Sequence, residues 1–161
     1  MNRKILFLSL FLLSSYSSFA DHKCRPHKPF YSNFEPEKFP KSNNLLRSAG
    51  EFPLTCGEKL IIRGKVVDAN CIPLSEVKVN IWQVACDGKY PYKPLKNGYK
   101  ESDINMNSSA TFTGAGTAIT DNKGEFYFVT TYPGKFRNLK PHIDARLTYN
   151  NVYFDTRIYV S

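Results

Sequence analysis

Short runs of alternating apolar and polar residues, separated by turn signals, constrain the fold of this chain more than any other feature of its sequence. Val77 to Ile81 alternates in this way before Trp82, and Glu125 to Thr131 does so after the turn Asp121 to Gly124. A period of two residues is typical of a strand that buries one of its faces. The same pattern predicts further strands at residues 60–67, 117–119, 143–149 and 157–160.

The spacing of these runs predicts the fold class and the division of the chain. Because the strands are short and close together, and helical periodicity is almost absent, we expect an all-β fold, an antiparallel β-sandwich, over residues 59–161. Residues 21–58 are rich in Pro, Lys, Asn and Ser and are predicted to form an extended N-terminal arm, with a short helix at residues 42–49. Residues 91–116 form a predicted long loop that we expect to cover or border a site.

The first 20 residues have the pattern of a secretory signal peptide. A basic start, Arg3-Lys4, precedes an apolar run from Ile5 to Leu13 and small residues before a predicted cut after Ala20. The apolar run is too short to span a bilayer. We therefore predict an exported protein, periplasmic or secreted, that begins at Asp21 after processing and has no membrane anchor.

Four cysteines follow this segment, and an oxidising compartment favours their pairing as two disulfides. Three connectivities are open. We favour Cys71 with Cys86, which flank a predicted hairpin, and Cys24 with Cys56, which would pin the arm. A zinc site made of all four cysteines is disfavoured because no Cys-x-x-Cys spacing occurs.

Charge and motif content exclude several classes of function. The formal net charge is +8 at pH 7, but the Lys and Arg residues are scattered along the sequence. This pattern favours a solvated basic exterior, and no nucleic-acid partner is predicted. The sequence also lacks a nucleophile elbow, a phosphate loop and a dinucleotide-binding motif.

His142 and Asp144 are the residues best placed to carry chemistry. They lie two positions apart on a predicted strand, so their side chains project from the same face. His142 is also the only histidine beyond the N-terminal arm. The alternatives are a structural histidine and a solvated or hydrogen-bonded strand carboxylate.

Seven short motifs between residues 58 and 160 resemble, in order and spacing, those of the intradiol ring-cleavage dioxygenases, the group of protocatechuate 3,4-dioxygenase and catechol 1,2-dioxygenase. The motifs are Gly64–Asp68, Pro73-Leu74, Val77–Gln83, Gly88–Tyr90, Gly124–Phe128, Pro133-Gly134 and His142-Ile143. The resemblance implies a β-sandwich with a mononuclear, non-haem ferric site. It also implies a catechol-like aromatic substrate, cleaved by dioxygen between its hydroxyl-bearing carbons, and a homo-oligomer, since dimers are common in that family.

The iron site implied by the resemblance has two tyrosines and two histidines, of which this sequence retains one each. Tyr90 matches the first tyrosine and His142 the first histidine. Phenolate oxygen is a hard, anionic donor that suits Fe(III). Phe136 stands where the second tyrosine is expected, and Asp144 stands in place of the second histidine. The predicted metal ligands are therefore Tyr90, His142 and Asp144, with the carboxylate as a substitute ligand.

Two further positions near this site differ from the family pattern. Arg157 stands where the resembled family has a glutamine and is the predicted catalytic residue. Leu139 stands where the family often has an arginine, and Arg137 and Lys140 are nearby substitutes.

Three hypotheses about function follow from these differences. The first is an exported, ferric-iron-dependent enzyme that cleaves a catechol-type ring, with activity impaired by the altered site. The second is a non-catalytic β-sandwich binding module derived from the same family. The third is a decayed gene product whose chain stops at Ser161, short of the family's usual C-terminal segment.

Overall fold

Six strands and one short helical turn make up the regular structure of the described residues. A computed structural model describes residues 24–48, 50–107 and 111–161. The strands are β1 (Lys59–Lys65), β2 (Lys78–Trp82), β3 (Ala115–Ile119), β4 (Glu125–Thr131), β5 (His142–Tyr149) and β6 (Val152–Tyr159), and a 3₁₀ helix spans Glu101–Asp103. The predicted all-β fold is confirmed.

The strands form two antiparallel sheets with a shared core. β1 pairs with β4, and the second sheet has the order β3-β2-β5-β6. Alternate residues of β2 and β5, such as Val79, Ile81 and Ile143, pack with Phe128 of β4 in one buried cluster. This inner cluster joins the two sheets, as the alternating pattern of the sequence requires.

The opposite face of the four-stranded sheet buries a second cluster. Trp82 follows Ile81 and therefore projects from the other side of β2. It packs with Val84, Tyr90, Ala115 and Phe136. Phe34, Phe39 and Tyr92 pack against this outer cluster, so the arm and the loop after Tyr90 cover this face of the sheet.

The last strand is longer than the sequence pattern predicted. β6 begins at Val152 and not at Arg157, because Asn150 and Asn151 form a two-residue turn after β5. Both asparagines have positive φ angles, of 47° and 62°. Asparagine tolerates this region better than most residues, and two such residues make the turn that suits a tight β-hairpin.

The predicted helix at residues 42–49 is wrong for the described part of that segment. The Leu45 amide donates to the Val129 carbonyl at 2.8 Å, and the Val129 amide donates to the Asn43 carbonyl at 2.9 Å. The segment therefore runs beside β4, and Leu45 is buried in the inner cluster. The Ser42 hydroxyl accepts from the Asn44 amide at 3.1 Å. Such local side-chain bonds compete with a helical backbone.

The favoured disulfide pairing is also wrong. Cys24 is bonded to Cys71, and Cys56 is bonded to Cys86. Cys71 and Cys86 lie before and after β2, so the extended strand separates them, and they do not flank a hairpin. Each observed bond instead fastens the arm to one end of the β2 segment.

The two disulfides are the feature of the described residues that relates to export. The predicted signal peptide, residues 1–20, lies outside the described residues. Within the described ranges, no helix is long and apolar enough to cross a membrane. Two disulfides are typical of proteins in an oxidising compartment.

Candidate ligand-binding site

The predicted site residues meet on the outer face of the four-stranded sheet. His142 and Asp144 project from β5, and the register of the sheet places Arg157 of β6 directly opposite Asp144. Tyr90, His142 and Asp144 are each no more than 2% exposed. The electrostatic influence of Asp144 and Arg157 reaches both Tyr90 and His142. The sequence therefore identified four side chains that lie in one buried region.

Two close-packed turns hold Tyr90 in place. Gly88 has a positive φ of 76°, and a Cβ at this position would collide with the Lys135 carbonyl. A Cβ on Gly134 would lie 2.5 Å from the Cys86 carbonyl oxygen. Only glycine permits this approach of the two turns, which brings the ring of Tyr90 against that of Phe136.

Three aromatic rings form the centre of the site. The Phe34 ring stacks on Tyr90 with centroids 5.0 Å apart and planes 8° apart. Phe136 meets Phe34 and Tyr90 edge-on at 4.8 and 5.2 Å. Phe136, at the position of the second tyrosine in the family pattern, thus contributes a packed ring and no donor atom.

Asp144 and Arg157 form a buried, bidentate ion pair. Arg157 Nε donates to Asp144 Oδ1 at 2.7 Å, and Nη2 donates to Oδ2 at 3.1 Å. The two side chains are 1% and 8% exposed, respectively. Phe30 lies against the guanidinium, with its ring centroid 3.7 Å from Cζ. Both carboxylate oxygens of Asp144 are therefore engaged by a fixed internal cation.

His142 is placed to be a neutral imidazole. Its Nδ1 lies 2.8 Å from the Lys140 carbonyl oxygen, which can only accept, so we assign the proton to Nδ1 and the lone pair to Nε2. Burial lowers the pKa of His142, and the positive charge of Arg157 lowers it further, against the opposing effects of the Lys140 carbonyl and Asp144.

Tyr90 is held as a protonated phenol. Burial raises the pKa of Tyr90 well above its ordinary value, and the carboxylate of Asp144 raises it further. Arg157 acts in the opposite direction with a smaller effect. A phenolate at this position would therefore need a compensating cation beyond those the chain supplies.

This arrangement of donors does not fit a ferric ion. Both oxygens of Asp144 are bonded to Arg157, and a trivalent cation beside that guanidinium would be repelled. Within the described residues, no three His, Cys, Asp or Glu side chains are grouped so that they could hold a metal. Tyr90 and the Nε2 atom of His142 are the donors left. The predicted ligand roles of Tyr90, His142 and Asp144, and the catalytic role of Arg157, stay predictions.

A cleft of about 430 Å³ opens beside the ion pair. Its lining is made of an arm segment, the turn after Phe136 and one residue of β6, namely Phe30, Tyr31, Ser32, Asn33, Phe34, Phe136, Arg137, Asn138, Leu139 and Arg157. Leu139 and Arg137, which the sequence placed near the site, both line it. A larger groove of about 930 Å³ lies between the arm and strands β1, β3 and β4, and it includes none of the predicted site residues.

Arg137 is the second arginine that lines the cleft, after Arg157. Its Nε and Nη2 donate to the two carboxylate oxygens of Asp103 at 3.1 and 2.6 Å. Its guanidinium lies over the rings of Phe34 and Phe136, at 5.6 and 5.0 Å from their centroids. Asp103 belongs to the predicted loop 91–116, so that loop does border the site.

The contribution of the arm to the site was not predicted from the sequence. Phe30 and Phe34 are aromatic residues in a polar segment, and nothing local shows which face of the sheet they cover. The Tyr92 hydroxyl donates to the Phe34 carbonyl at 3.0 Å, and the Trp82 indole N–H donates to the Ser32 hydroxyl at 3.2 Å. The presence of aromatic residues in the arm was the available signal, but their spacing has no period that assigns them to a face of the sheet.

Comparison with known proteins places the chain in a dioxygenase family. The family model described as "Dioxygenase" matches residues 28–148. The chain is 36% identical over 155 residues to "Putative dioxygenase RT0384" of Rickettsia typhi, which covers 96% of this chain and 74% of that protein. The chain is also 43% identical over 114 residues to "Putative dioxygenase" of Rickettsia bellii. The matched region covers 71% of this chain and 55% of that protein.

A solved structure supports the same fold. The intradiol ring-cleavage dioxygenase from Tetranychus urticae matches with a TM-score of 0.66 at 25% sequence identity, over 84% of this chain and 65% of that chain. The chain therefore spans between about half and three quarters of the length of these similar proteins.

Proposed function

Because the chain belongs to the intradiol ring-cleavage dioxygenase family, whose members normally depend on non-haem iron, we propose that it keeps the family's fold and binds a small aromatic compound in the cleft without cleaving it. One observation carries this proposal. The Asp144–Arg157 ion pair stands where the sequence pattern expects a metal ligand and a glutamine. The positive charge of Arg157 therefore compensates the carboxylate of Asp144 without a metal.

The energetics of the pair support a metal-free site. Separating one partner from a buried ion pair costs about 3–5 kcal/mol, because the remaining charge is left without compensation. Both oxygens of Asp144 accept from Arg157, so a metal would have to displace the guanidinium or share the carboxylate with it, and Asp144 is only 1% exposed. Iron binding would have to overcome that cost with the two donors of Tyr90 and His142.

The shape and lining of the cleft support an aromatic ligand. Its volume of about 430 Å³ lies within the range of small-molecule sites. Phe30, Phe34 and Phe136 line it, and aromatic walls favour ring compounds through stacking and edge contacts.

The second candidate function is ferric-iron-dependent cleavage of a catechol-type substrate. The geometry of His142 favours it, because Nδ1 faces the Lys140 carbonyl and leaves Nε2 as a neutral donor. In this alternative, Tyr90 and His142 would hold the iron, and Asp144 would join them after release from Arg157.

Export to the periplasm or the exterior is part of the proposal. The two disulfides and the sequence pattern of residues 1–20 support it. The predicted homo-oligomer stays a prediction.

The test is a calorimetric titration of the disulfide-bonded protein with phenol and with catechol in the presence of EDTA, together with dioxygen uptake after ferric loading. We expect binding that EDTA does not weaken and no dioxygen consumption. Phe34→Ala should weaken binding, and Phe52→Ala, which removes an 89% exposed ring of the arm, is the matched control. Dioxygen uptake with catechol after ferric loading would support the enzyme instead.

A further inference from the structure

The arm covers three of the four strand edges of the two sheets. The edge strands are β1 and β4 in one sheet and β3 and β6 in the other. The Leu45 amide donates to β4 at 2.8 Å, the Ser42 carbonyl accepts from β3 at 2.9 Å, and the Phe30 amide donates to β6 at 2.9 Å. Within the described ranges, no residue forms such a bond with the outer edge of β1.

The hydrogen-bonding pattern of β1 shows which backbone groups this edge leaves open. The Tyr132 amide donates to the Glu58 carbonyl at 2.7 Å, and the Val66 amide donates to the Gly124 carbonyl at 2.8 Å. Both bonds follow the register of β1 and β4. Bonded and non-bonded pairs alternate along an antiparallel ladder, so the even-numbered residues of β1 bond to β4. The residues whose N–H and C=O groups face away from β4 are therefore Lys59, Ile61, Arg63 and Lys65, here called the β1 edge.

The side chains of the β1 edge form an exposed, positively charged row. Every second residue of β1 is exposed, and the row contains Lys59, Arg63 and Lys65 together with Ile61, which is 50% exposed. None of the three cations forms an ion pair with another residue of the described ranges. Basic side chains on an open edge oppose pairing with basic strands and are complementary to acidic ones.

A second copy of this chain fits the β1 edge poorly. In a two-fold antiparallel pairing, the edge residues of one copy would lie opposite those of the other. A pairing centred on Ile62 sets Lys59 opposite Lys65, and one centred on Ile61 sets Lys59 opposite Arg63. A pairing centred on Arg63 sets that residue opposite itself. Like charges directly opposite each other destabilise a strand pair, so the charges favour a different, acidic strand.

The inward side of β1 indicates what the other residues of such a strand should be. Leu60 and Ile62 pack against the inner cluster but are only half-buried. A strand laid beside β1 would place alternate side chains next to them, and apolar side chains there would extend the inner cluster. β1 has seven residues, so the edge accommodates a segment of about 24 Å.

We propose that the β1 edge binds an extended segment of a partner protein in which acidic residues alternate with apolar ones, and that this segment adds a strand to the sheet of β1 and β4. The open backbone groups of the β1 edge supply the hydrogen bonds, and the alternate side chains supply the specificity. This surface is separate from the cleft, because no residue of β1 lines the cleft. It does not depend on the proposed aromatic-binding function.

The test is a fluorescence anisotropy titration of the disulfide-bonded protein at low ionic strength with a labelled peptide, Glu-Val-Glu-Val-Glu-Val-Glu. We expect it to bind at least about tenfold more tightly than Lys-Val-Lys-Val-Lys-Val-Lys, and more weakly as salt is added. It should also bind more tightly than Glu-Glu-Val-Val-Val-Glu-Glu, which has the same composition without the alternation.

Two charge variants test the role of the basic row. Lys59→Glu combined with Arg63→Glu should weaken binding of the alternating glutamate peptide by about tenfold or more, because attraction becomes repulsion. Lys38→Glu combined with Lys93→Glu changes the net charge equally at two exposed positions away from β1 and is the matched control.

A backbone variant and amide exchange locate the peptide. Ile61→Pro removes one open N–H and keeps the three cations and the bonds to β4, so it should weaken binding by about fivefold. Ile61→Thr keeps that N–H and is its control. The peptide should slow hydrogen exchange at the amides of the β1 edge, which are open in the free protein, and leave those of Leu60 and Ile62 unchanged.

Several results would overturn the proposal. Equal affinity for the glutamate and lysine peptides would do so, and so would full affinity in the variant that carries Lys59→Glu and Arg63→Glu. Equal binding of the non-alternating peptide would show attraction between charges without strand addition. A dimer in sedimentation that Ile61→Pro dissociates would make a second copy the occupant of the edge. Should Ile61→Pro not fold, the charge variants and the amide exchange decide the question.

Discussion

Removing the guanidinium of Arg157 tests whether it replaces a metal in the structure of the site. In Arg157→Gln, Asp144 stays 1% exposed and loses its hydrogen bonds of 2.7 and 3.1 Å. Leaving one charge of a buried pair uncompensated costs about 3–5 kcal/mol, and the loss of the contact with Phe30 adds about 1 kcal/mol. We expect the free energy of unfolding to fall by about 4–6 kcal/mol.

The double variant Asp144→Asn with Arg157→Gln provides the comparison that isolates the charge. Both partners become neutral amides of similar size, so the penalty of an unpaired charge disappears. We expect the free energy of unfolding of this double variant to lie within about 2 kcal/mol of the wild-type value. The double variant should therefore be more stable than the single variant.

Urea unfolding at pH 7 with the disulfides intact and EDTA present measures both effects. Trp82 is the only tryptophan and lies in the outer cluster, so its fluorescence reports on this face of the sheet. Arg63→Gln is the control for loss of an arginine at an exposed position. A single variant within about 1 kcal/mol of the wild type, or a double variant as unstable as the single one, would refute the reasoning.

Three further predictions follow from the fold and the site. Replacing Cys56 and Cys86 with serine should lower the free energy of unfolding by about 2–4 kcal/mol in urea titrations, because the bond closes a segment of 30 residues; unchanged stability would contradict this. Since burial lowers the pKa of His142 in the folded state, the unfolded chain binds the proton more readily, and stability should fall as the pH drops below about 6.5. His142→Gln should flatten that part of the pH profile, and an identical profile would count against a neutral buried imidazole. Phe34→Ala should destabilise the protein by about 2 kcal/mol, since the half-buried ring stacks on Tyr90, and wild-type stability would show that the stack is not part of the folded core.

The sequence predicted those parts of the fold that depend on local patterns. β4 was predicted at residues 125–131 and is observed at Glu125–Thr131, because a strong turn and a regular alternation mark its start and length. The inward and outward faces of β5 were also predictable, and His142 and Asp144 do share one face.

The ion pair was hidden by one unrecognised turn. Asn150 and Asn151 close a two-residue hairpin that pairs Tyr149 with Val152. That register alone places Asp144 opposite Arg157. Because the turn was not identified, the last strand was predicted to begin at Arg157, five residues after the observed start of β6. Asp144 and Arg157 were therefore predicted separately, as a metal ligand and a catalytic residue.

Other features depend on contacts between distant parts of the chain. The stacking of Phe34 on Tyr90 joins residues 56 positions apart, and the arm has no periodic pattern that fixes its position. The disulfides follow the path of the same arm, so their pairing could not be read from spacing alone. Local sequence patterns do not carry this information.

The most direct test of the central claim is the iron content of the disulfide-bonded protein after loading with ferric iron and removal of excess metal, measured with its visible absorption. We predict substoichiometric iron and no tyrosinate colour, because Arg157 holds Asp144 and leaves only Tyr90 and His142 as donors. One iron per chain, with a visible band lost in both Tyr90→Phe and His142→Ala, would contradict the account and establish a ferric site.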